Sequence, residues 1–247
     1  MHANLFYAIK FIVSAKLNVV PALDRGLSLM EWITTQSEPM TLTQVAHGVG
    51  LSVSEVQRPV ACLLERGYLK RTPAGAYAIS GLLYRLALSH PPHRQIQQAA
   101  LPQMQDFARA SGQSIHLCVP DGDAALLLVD VPGGGLVRIS LQAGARLDAN
   151  ETVSGRMLQA HHLLVLEKKP GRSLEARLKE IRSRKHELTE SAYAVGILDL
   201  GVPVCDRSGK VVAALTCSIL RLRKAPHDGK NLLPDIKACA EKIGLSL

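Results

Sequence analysis

Apolar and polar positions along this 247-residue chain alternate with helical spacing near the N-terminus and with mixed spacing beyond residue 93. Leu23, Leu27, Met30 and Ile33 or Thr34 form a helical stripe over 21–35, and Pro21 suits a first turn. Ser37-Glu38-Pro39 breaks that helix. Thr41 with Gln44 and Ser52 with Glu55 are capping-box pairs, predicting helices over 42–48 and 53–66, the second closed by Gly67. On that helix Val56, Val60, Leu63 and Leu64 face inward, while Ser54, Gln57, Arg58 and Cys62 lie elsewhere. Segments 68–71 and 76–80 read as strands around Thr72-Pro73-Ala74-Gly75, a hairpin turn. A further helix covers 82–89, and His90-Pro91-Pro92-His93 ends it.

The rest of the chain mixes hairpins with helices. The pattern predicts a helix over 94–111 interrupted by Pro102, then strands over 114–119, 124–131 and 136–142. Helices follow over 152–167 and, strongly basic, over 173–185. Strands over 197–204 and 210–219 flank Asp206-Arg207-Ser208-Gly209, and a last helix runs over 229–245. Hairpins with helices grouped elsewhere indicate an α+β domain built on an antiparallel sheet. The expected division is an arm or extension over 1–19, a first domain over 20–81, a linker helix over 82–96 and a second domain over 97–247.

Within the first domain, Ala46, Gly50 and Val56 stand at helix-turn-helix spacing. A small residue lets the helices approach, glycine serves the turn where φ is often positive, and Val56 packs the second helix on the first. Such a unit, with the hairpin as a wing, presents one helix to the DNA major groove. Thr43, Ser52, Ser54, Gln57 and Arg58 are the candidate contacts there, with Lys70 and Arg71 on the wing. Hydroxyls at a helix start suit phosphate, arginine and glutamine suit guanine and adenine edges, and basic wing residues suit the backbone or minor groove. The alternative is a polar surface used for protein contact. Pro59 lies inside the reading helix, and either bends it or is absorbed by packing.

Composition refines this picture modestly. The net charge of +8 suits a polyanionic partner, but residues 1–92 carry 8 Lys/Arg against 5 Asp/Glu and residues 93–247 carry 21 against 16, so charge does not locate the DNA-binding part. Aromatics at 4% argue against a stacking platform for single strands. The five cysteines, 62, 118, 205, 217 and 239, form no CxxC pair and read as reduced, mostly buried thiols of a cytoplasmic protein. Residues 5–15 are too short an apolar stretch to span a bilayer and lack signal-peptide features. Val153-Ser154-Gly155-Arg156 is not a nucleophile elbow, and His161-His162 belongs to no zinc motif. No enzymatic site, metal site or cofactor is expected.

The two parts together resemble the IclR family of bacterial transcription regulators. The likeness rests on ALDRGLSLMEWI, TLTQVAHGVGLSVSEVQRPVACLLERGYLKR and GAYAIS in the first part, and on GQSIHLCV, GARLDANETVSGRMLQA and GVPVCDRSGKVVAALTCSI in the second. It implies an N-terminal winged helix-turn-helix plus a C-terminal antiparallel-sheet, GAF-like domain that binds a small organic effector, an organic acid or aromatic metabolite. It also implies homodimers or tetramers on palindromic double-stranded operators, with no membrane partner. Carried over by motif, the effector residues are Leu147, Ala149, Asn150, Glu151, Gly155 and Arg156, then Asp199, Thr216 and Ser218. The helix start at 153–156 would offer backbone amides to an anion. Thr216 and Ser218 share one strand face, though both hydroxyls could instead be satisfied by backbone. Glu151 departs from the small residue usual in the family, Asn150 from histidine, and Ser191 and Ala192 from acidic residues. An inward Glu151 would repel a simple carboxylate, leaving a ligand with a hydroxyl, amine or lactone. A second domain serving only oligomerisation, or an enzyme or carrier that retains a winged helix, are the competing readings.

Overall fold

The computed structural model describes residues 20–89, 93–135, 137–221 and 230–247. The arm over 1–19, the His90–Pro92 break, Leu136 and the start of the expected last helix at 229 lie outside them. Contacts divide the chain into two units, residues 1–92 and 93–247.

In the first unit, α1 (Pro21–Thr34), α2 (Leu42–Val49) and α3 (Val53–Glu65) precede a hairpin of β1 (Leu69–Arg71) and β2 (Tyr77–Ile79), followed by α4 (Leu82–Ser89). Leu29, Ile33, Val45, Ala46, Val56, Val60 and Leu69 make the core. The α1 stripe differs from the expected one. Leu29 and Ile33 are buried, whereas Leu23 and Leu27 are 60% and 45% exposed, because only one side of α1 meets α2 and α3. Both capping boxes supply carboxylate or amide side chains to the helix starts. Thr41 N–H donates to Gln44 Oε1 at 2.8 Å, and the Ser52 N–H and hydroxyl both donate to Glu55 Oε2, at 3.0 and 2.7 Å. Gly50 ends α2 with φ +70°, the left-handed conformation the turn requires. A two-way backbone bridge from Met40 to Tyr77 fastens the segment before α2 to the wing.

The second unit holds one antiparallel sheet of order β5-β4-β3-β8-β7-β6. Its strands are β3 (Ser114–Asp121), β4 (Ala124–Val131), β5 (Arg146–Leu147), β6 (Glu187–Glu190), β7 (Ile197–Cys205) and β8 (Val211–Leu220). One face is covered by α5 (Arg94–Ser111) and α8 (Leu233–Leu245), which α8 enters through a 3-10 turn at Lys230–Leu232. Ile115, Leu117, Val119, Leu200, Leu215 and Ile236 belong to that apolar core. The other face carries α6 (Val153–Ala160), with α7 (Arg172–Arg184) packed on it, over a smaller core that includes Leu127, Leu147, Met157 and Ile181. Strand alternation therefore sends odd positions of β3 into one core and even positions toward α6.

Several expected elements are corrected. Pro102 does not interrupt α5: it faces solvent, so the carbonyl of Gln98 that loses its donor can be hydrated. Among the described residues of 136–142 there is no strand. Side chains hold that segment instead, with Ser114 Oγ donating to the Ile139 carbonyl at 2.7 Å and Ser140 Oγ and Leu141 N–H donating to Asp130 at 2.8 and 3.2 Å. Its place at the edge of β4 is taken by β5. The helix expected over 152–167 stops at Ala160 because His162 adopts φ +59°, and Leu163 N–H bonds back to the Leu158 carbonyl at 3.1 Å.

Candidate functional site

The first unit presents the seven residues expected at DNA on its surface. Thr43, Ser52, Ser54, Gln57, Arg58, Lys70 and Arg71 are all exposed. They are not equally available. The amide and hydroxyl of Ser52 are engaged by Glu55, and Ser54 Oγ lies 3.1 Å from Ser52 Oγ. These same bonds, with Arg25 nearby, hold the Glu55 carboxyl below its ordinary range, so α3 begins with a fixed negative charge. Arg71 donates to the Gly75 carbonyl at 3.4 Å and lies 5.9 Å from the centre of the Tyr77 ring, which stiffens it along the wing. Gln57 and Arg58 sit on the outer side of α3, opposite Val56 and Val60, and the helix runs continuously past Pro59.

The second unit contains a cavity of about 150 Å³ between the sheet and the start of α6. His116 of β3, Thr216 and Ser218 of β8 and Asp199 of β7 form its polar floor. Leu147, Thr152 and Val153 form a wall, and Ser154 of α6 joins the floor. Ile139 and Leu141 come from the irregular segment after β4, Ser191, Tyr193 and Ala194 come from the loop between β6 and β7, and Ile197 opens β7. Ser154 is the hub of the floor: its hydroxyl lies 3.2 Å from His116 Nε2 and 2.9 Å from Thr216 Oγ1. Beside it Ser218 Oγ donates to Asp199 Oδ1 at 2.7 Å. Burial pushes the His116 imidazole below its usual range, against the opposing charges of Asp199 and Asp130, so the ring is neutral near pH 7. Burial also pushes the Cys118 thiol up to about 12, which removes it as a nucleophile. Tyr193 is raised by burial first, with the charges of Asp148 and Glu151 adding to the effect.

Of the nine effector residues expected from sequence, Leu147, Asp199, Thr216 and Ser218 line this cavity. Ala149, Asn150, Glu151, Gly155 and Arg156 do not; the first three form the turn before α6, and Gly155 and Arg156, within α6, hold that turn in place. Asp148 Oδ1 accepts the amides of Asn150 and Glu151 at 2.7 and 2.9 Å. Arg156 is only 4% exposed. Its Nε donates to both oxygens of Glu187, at 3.1 and 3.0 Å, and its Nη1 donates to the carbonyls of Asn150 and Glu151, at 2.9 and 2.6 Å. A side chain on Gly155 would put its Cβ 2.3 Å from the Asp148 carbonyl oxygen, so glycine is what lets the turn close on α6. Thr152 Oγ1 accepts the Gly155 amide at 3.0 Å. That leaves the first amides of α6, at Val153 and Ser154, without intrahelical partners and beside the cavity.

Sequence reading missed His116, Ser154 and Tyr193. For His116 and its neighbours the signal existed: Ser114, His116 and Cys118 alternate with Ile115 and Leu117, marking a strand with one face that is not purely apolar. Among the described residues no group of three or more His, Cys, Asp or Glu side chains could hold a metal ion, and no helix is long and apolar enough to cross a membrane.

Comparison with known proteins decides what this pairing of units is. The model of the IclR helix-turn-helix domain matches residues 22–73, and that of the bacterial transcriptional regulator IclR C-terminal domain matches residues 91–163, together just over half of the chain. The chain belongs to the IclR family. It is a DNA-binding transcriptional regulator of that family, a family of regulators and not of enzymes. This IclR-family chain is 24% identical to the glycerol operon regulatory protein of Streptomyces coelicolor, covering 92% of this chain and 96% of that one. It is 23% identical to the transcriptional repressor IclR of Escherichia coli, covering 81% and 80%. In fold it is similar to the Thermotoga maritima IclR crystal structure, with a TM-score of 0.71 at 20% identity over 92% of this chain and 98% of that one. It is also similar to an IclR homologue from Microbacterium hydrocarbonoxydans complexed with 4-hydroxybenzoate, with a TM-score of 0.76 at 21% identity and the same two coverages.

Proposed function

We propose that this regulator binds a palindromic double-stranded operator through α3 and the wing, under the control of a small organic effector held in the cavity beside α6. The observation that carries the reading is the cavity itself: about 150 Å³, walled by Leu147, Val153 and Ile139 and floored by His116, Ser154, Asp199, Thr216 and Ser218. A cavity of that volume holds a single aromatic ring or a molecule of similar bulk. The 4-hydroxybenzoate complex of the Microbacterium homologue supports a ligand of this size. Ala149, Asn150, Glu151, Gly155 and Arg156 act by shaping the wall. At the DNA, Gln57 and Arg58 read base edges, while Thr43, Ser54, Lys70 and Arg71 position the backbone. Ser52 acts through Glu55 to start the helix.

The active form is an oligomer working in the cytoplasm. Support comes from α4, which buries none of its own residues while exposing Tyr84, Leu86 and Leu88, and from the exposed Leu23 and Leu27 of α1. A second copy of the chain is the occupant that also explains a palindromic site. An effector switches such an assembly only by its difference in affinity between two arrangements.

The test is operator affinity, by fluorescence anisotropy on the full-length protein, across a panel of ring-sized and short-chain compounds. At least one should shift the affinity. Ala194→Trp, which places an indole at the cavity mouth, should abolish the shift while operator binding persists. If no compound shifts affinity, the second unit serves assembly alone.

A further inference from the structure

Asp199 gives the cavity a chemical preference. It is 9% exposed, and Ser218 is its side chain's one hydrogen-bond partner among the described residues, on Oδ1 alone. None of the described residues lining the cavity is lysine or arginine. The nearby Arg156 is already committed to Glu187 and to two carbonyls. The charges of Asp148 and Glu151 reach Tyr193 at the mouth, and that of Asp130 reaches His116 at the floor. The repulsion expected of Glu151 therefore falls to Asp199, since Glu151 lies outside the lining and Asp199 within it.

We infer that the effector is a compact, uncharged molecule carrying a hydroxyl that donates to Asp199, and not a carboxylate. The inference rests on the cavity being the effector site. The groups around Asp199 agree with it: Ser154, Thr216 and neutral His116 form a strip that both donates and accepts, which suits a second hydroxyl or an ether oxygen. The start of α6 pulls the other way, because its free amides favour an anion. Magnitudes decide between them. At an effective dielectric of about 20, a ligand carboxylate about 6 Å from Asp199 loses roughly a hundredfold in affinity. The half-charge of a helix end at similar distance returns only about tenfold. A carboxylate is thus disfavoured by about tenfold on balance against a neutral molecule of the same shape.

Isothermal titration of the full-length protein with phenol, benzyl alcohol and benzoate tests this. Phenol or benzyl alcohol should bind at least about tenfold more tightly than benzoate. In Asp199→Asn, which keeps the shape and removes the charge, benzoate should gain about tenfold or more and the preference should vanish or reverse. Benzoate binding the wild type as well as the alcohols, neither alcohol binding, or an unchanged preference in Asp199→Asn would each overturn the inference. Ala194→Trp separates this from failure of the site itself: alcohol binding that survives this substitution lies outside the cavity and overturns the effector-site reading instead.

Discussion

Replacing Glu187 with leucine would leave the Arg156 guanidinium charged, buried and without its carboxylate. Arg156 is 4% and Glu187 8% exposed, and two bonds of 3.0–3.1 Å join them. Breaking a buried pair from one side costs about 3–5 kcal/mol, far more than the pair adds over an apolar replacement. The second pair, from Arg177 to Glu187, adds little, because the Arg177 side chain is 44% exposed and keeps its hydration. For a unit the size of residues 93–247, 3–5 kcal/mol lowers the midpoint of thermal unfolding by about 6–20 °C. Calorimetry, or urea titration followed by far-ultraviolet circular dichroism, measures it. The single tryptophan, Trp32, lies in the first unit, so its fluorescence is an internal control whose transition should not move. Arg156→Met combined with Glu187→Leu should recover to within about 2 kcal/mol of wild type, since Asn150 and Glu151 are exposed enough for water to replace the lost donor. A loss below about 1 kcal/mol in Glu187→Leu, or no recovery in the double variant, would refute the reasoning.

Other substitutions probe the remaining links. Gly155→Ala forces its Cβ against the Asp148 carbonyl oxygen and should cost about 1–3 kcal/mol in the same denaturation assay, despite alanine's better helix propensity. Arg58→Ala should weaken operator binding by about 1–3 kcal/mol and relax preference at one base pair, while Lys70→Ala should weaken all sequences alike and flatten the salt dependence; equal behaviour would contradict the division of roles. His116 has a folded pKa below its unfolded value, so the unfolded chain takes up the proton first and stability falls as pH drops below about 6.5. His116→Gln should flatten that part of the stability–pH curve, and an unchanged slope between pH 6.5 and 5 would assign it elsewhere.

Where a local signal matched its structural role, sequence was enough to read the fold. The capping pairs Thr41–Gln44 and Ser52–Glu55 start α2 and α3, and the Gly50 turn joins them. Elsewhere the usual signal was missing. The ends of α6 and α7 place His162 and Lys185 in the left-handed conformation where glycine is the common marker, so α6 read as seven residues too long at its C-terminal end. The strand β6, Glu-Leu-Thr-Glu at a sheet edge, has the polar character that keeps edges from pairing and so hides them from a hydrophobic scan. The segment after β4 is apolar and strand-like in sequence, yet side-chain bonds to Asp130 and from Ser114 hold it. Part of the cavity was hidden for the same reason: Ile139, Leu141 and Tyr193 reach it from irregular backbone that no periodicity describes.

The alternation of β3, β7 and β8 has a consequence for how such a chain can change over generations. Positions 116, 199, 216 and 218 meet the cavity, while positions 115, 117, 198, 200, 215, 217 and 219 fill the opposite core. Each cavity position alternates along its strand with core positions that point to the other side of the sheet. Under the proposed function, drift at the first set would move the regulator toward a new metabolite while the second set holds the fold, so the domain would acquire new chemical inputs by single substitutions without passing through an unfolded intermediate sequence.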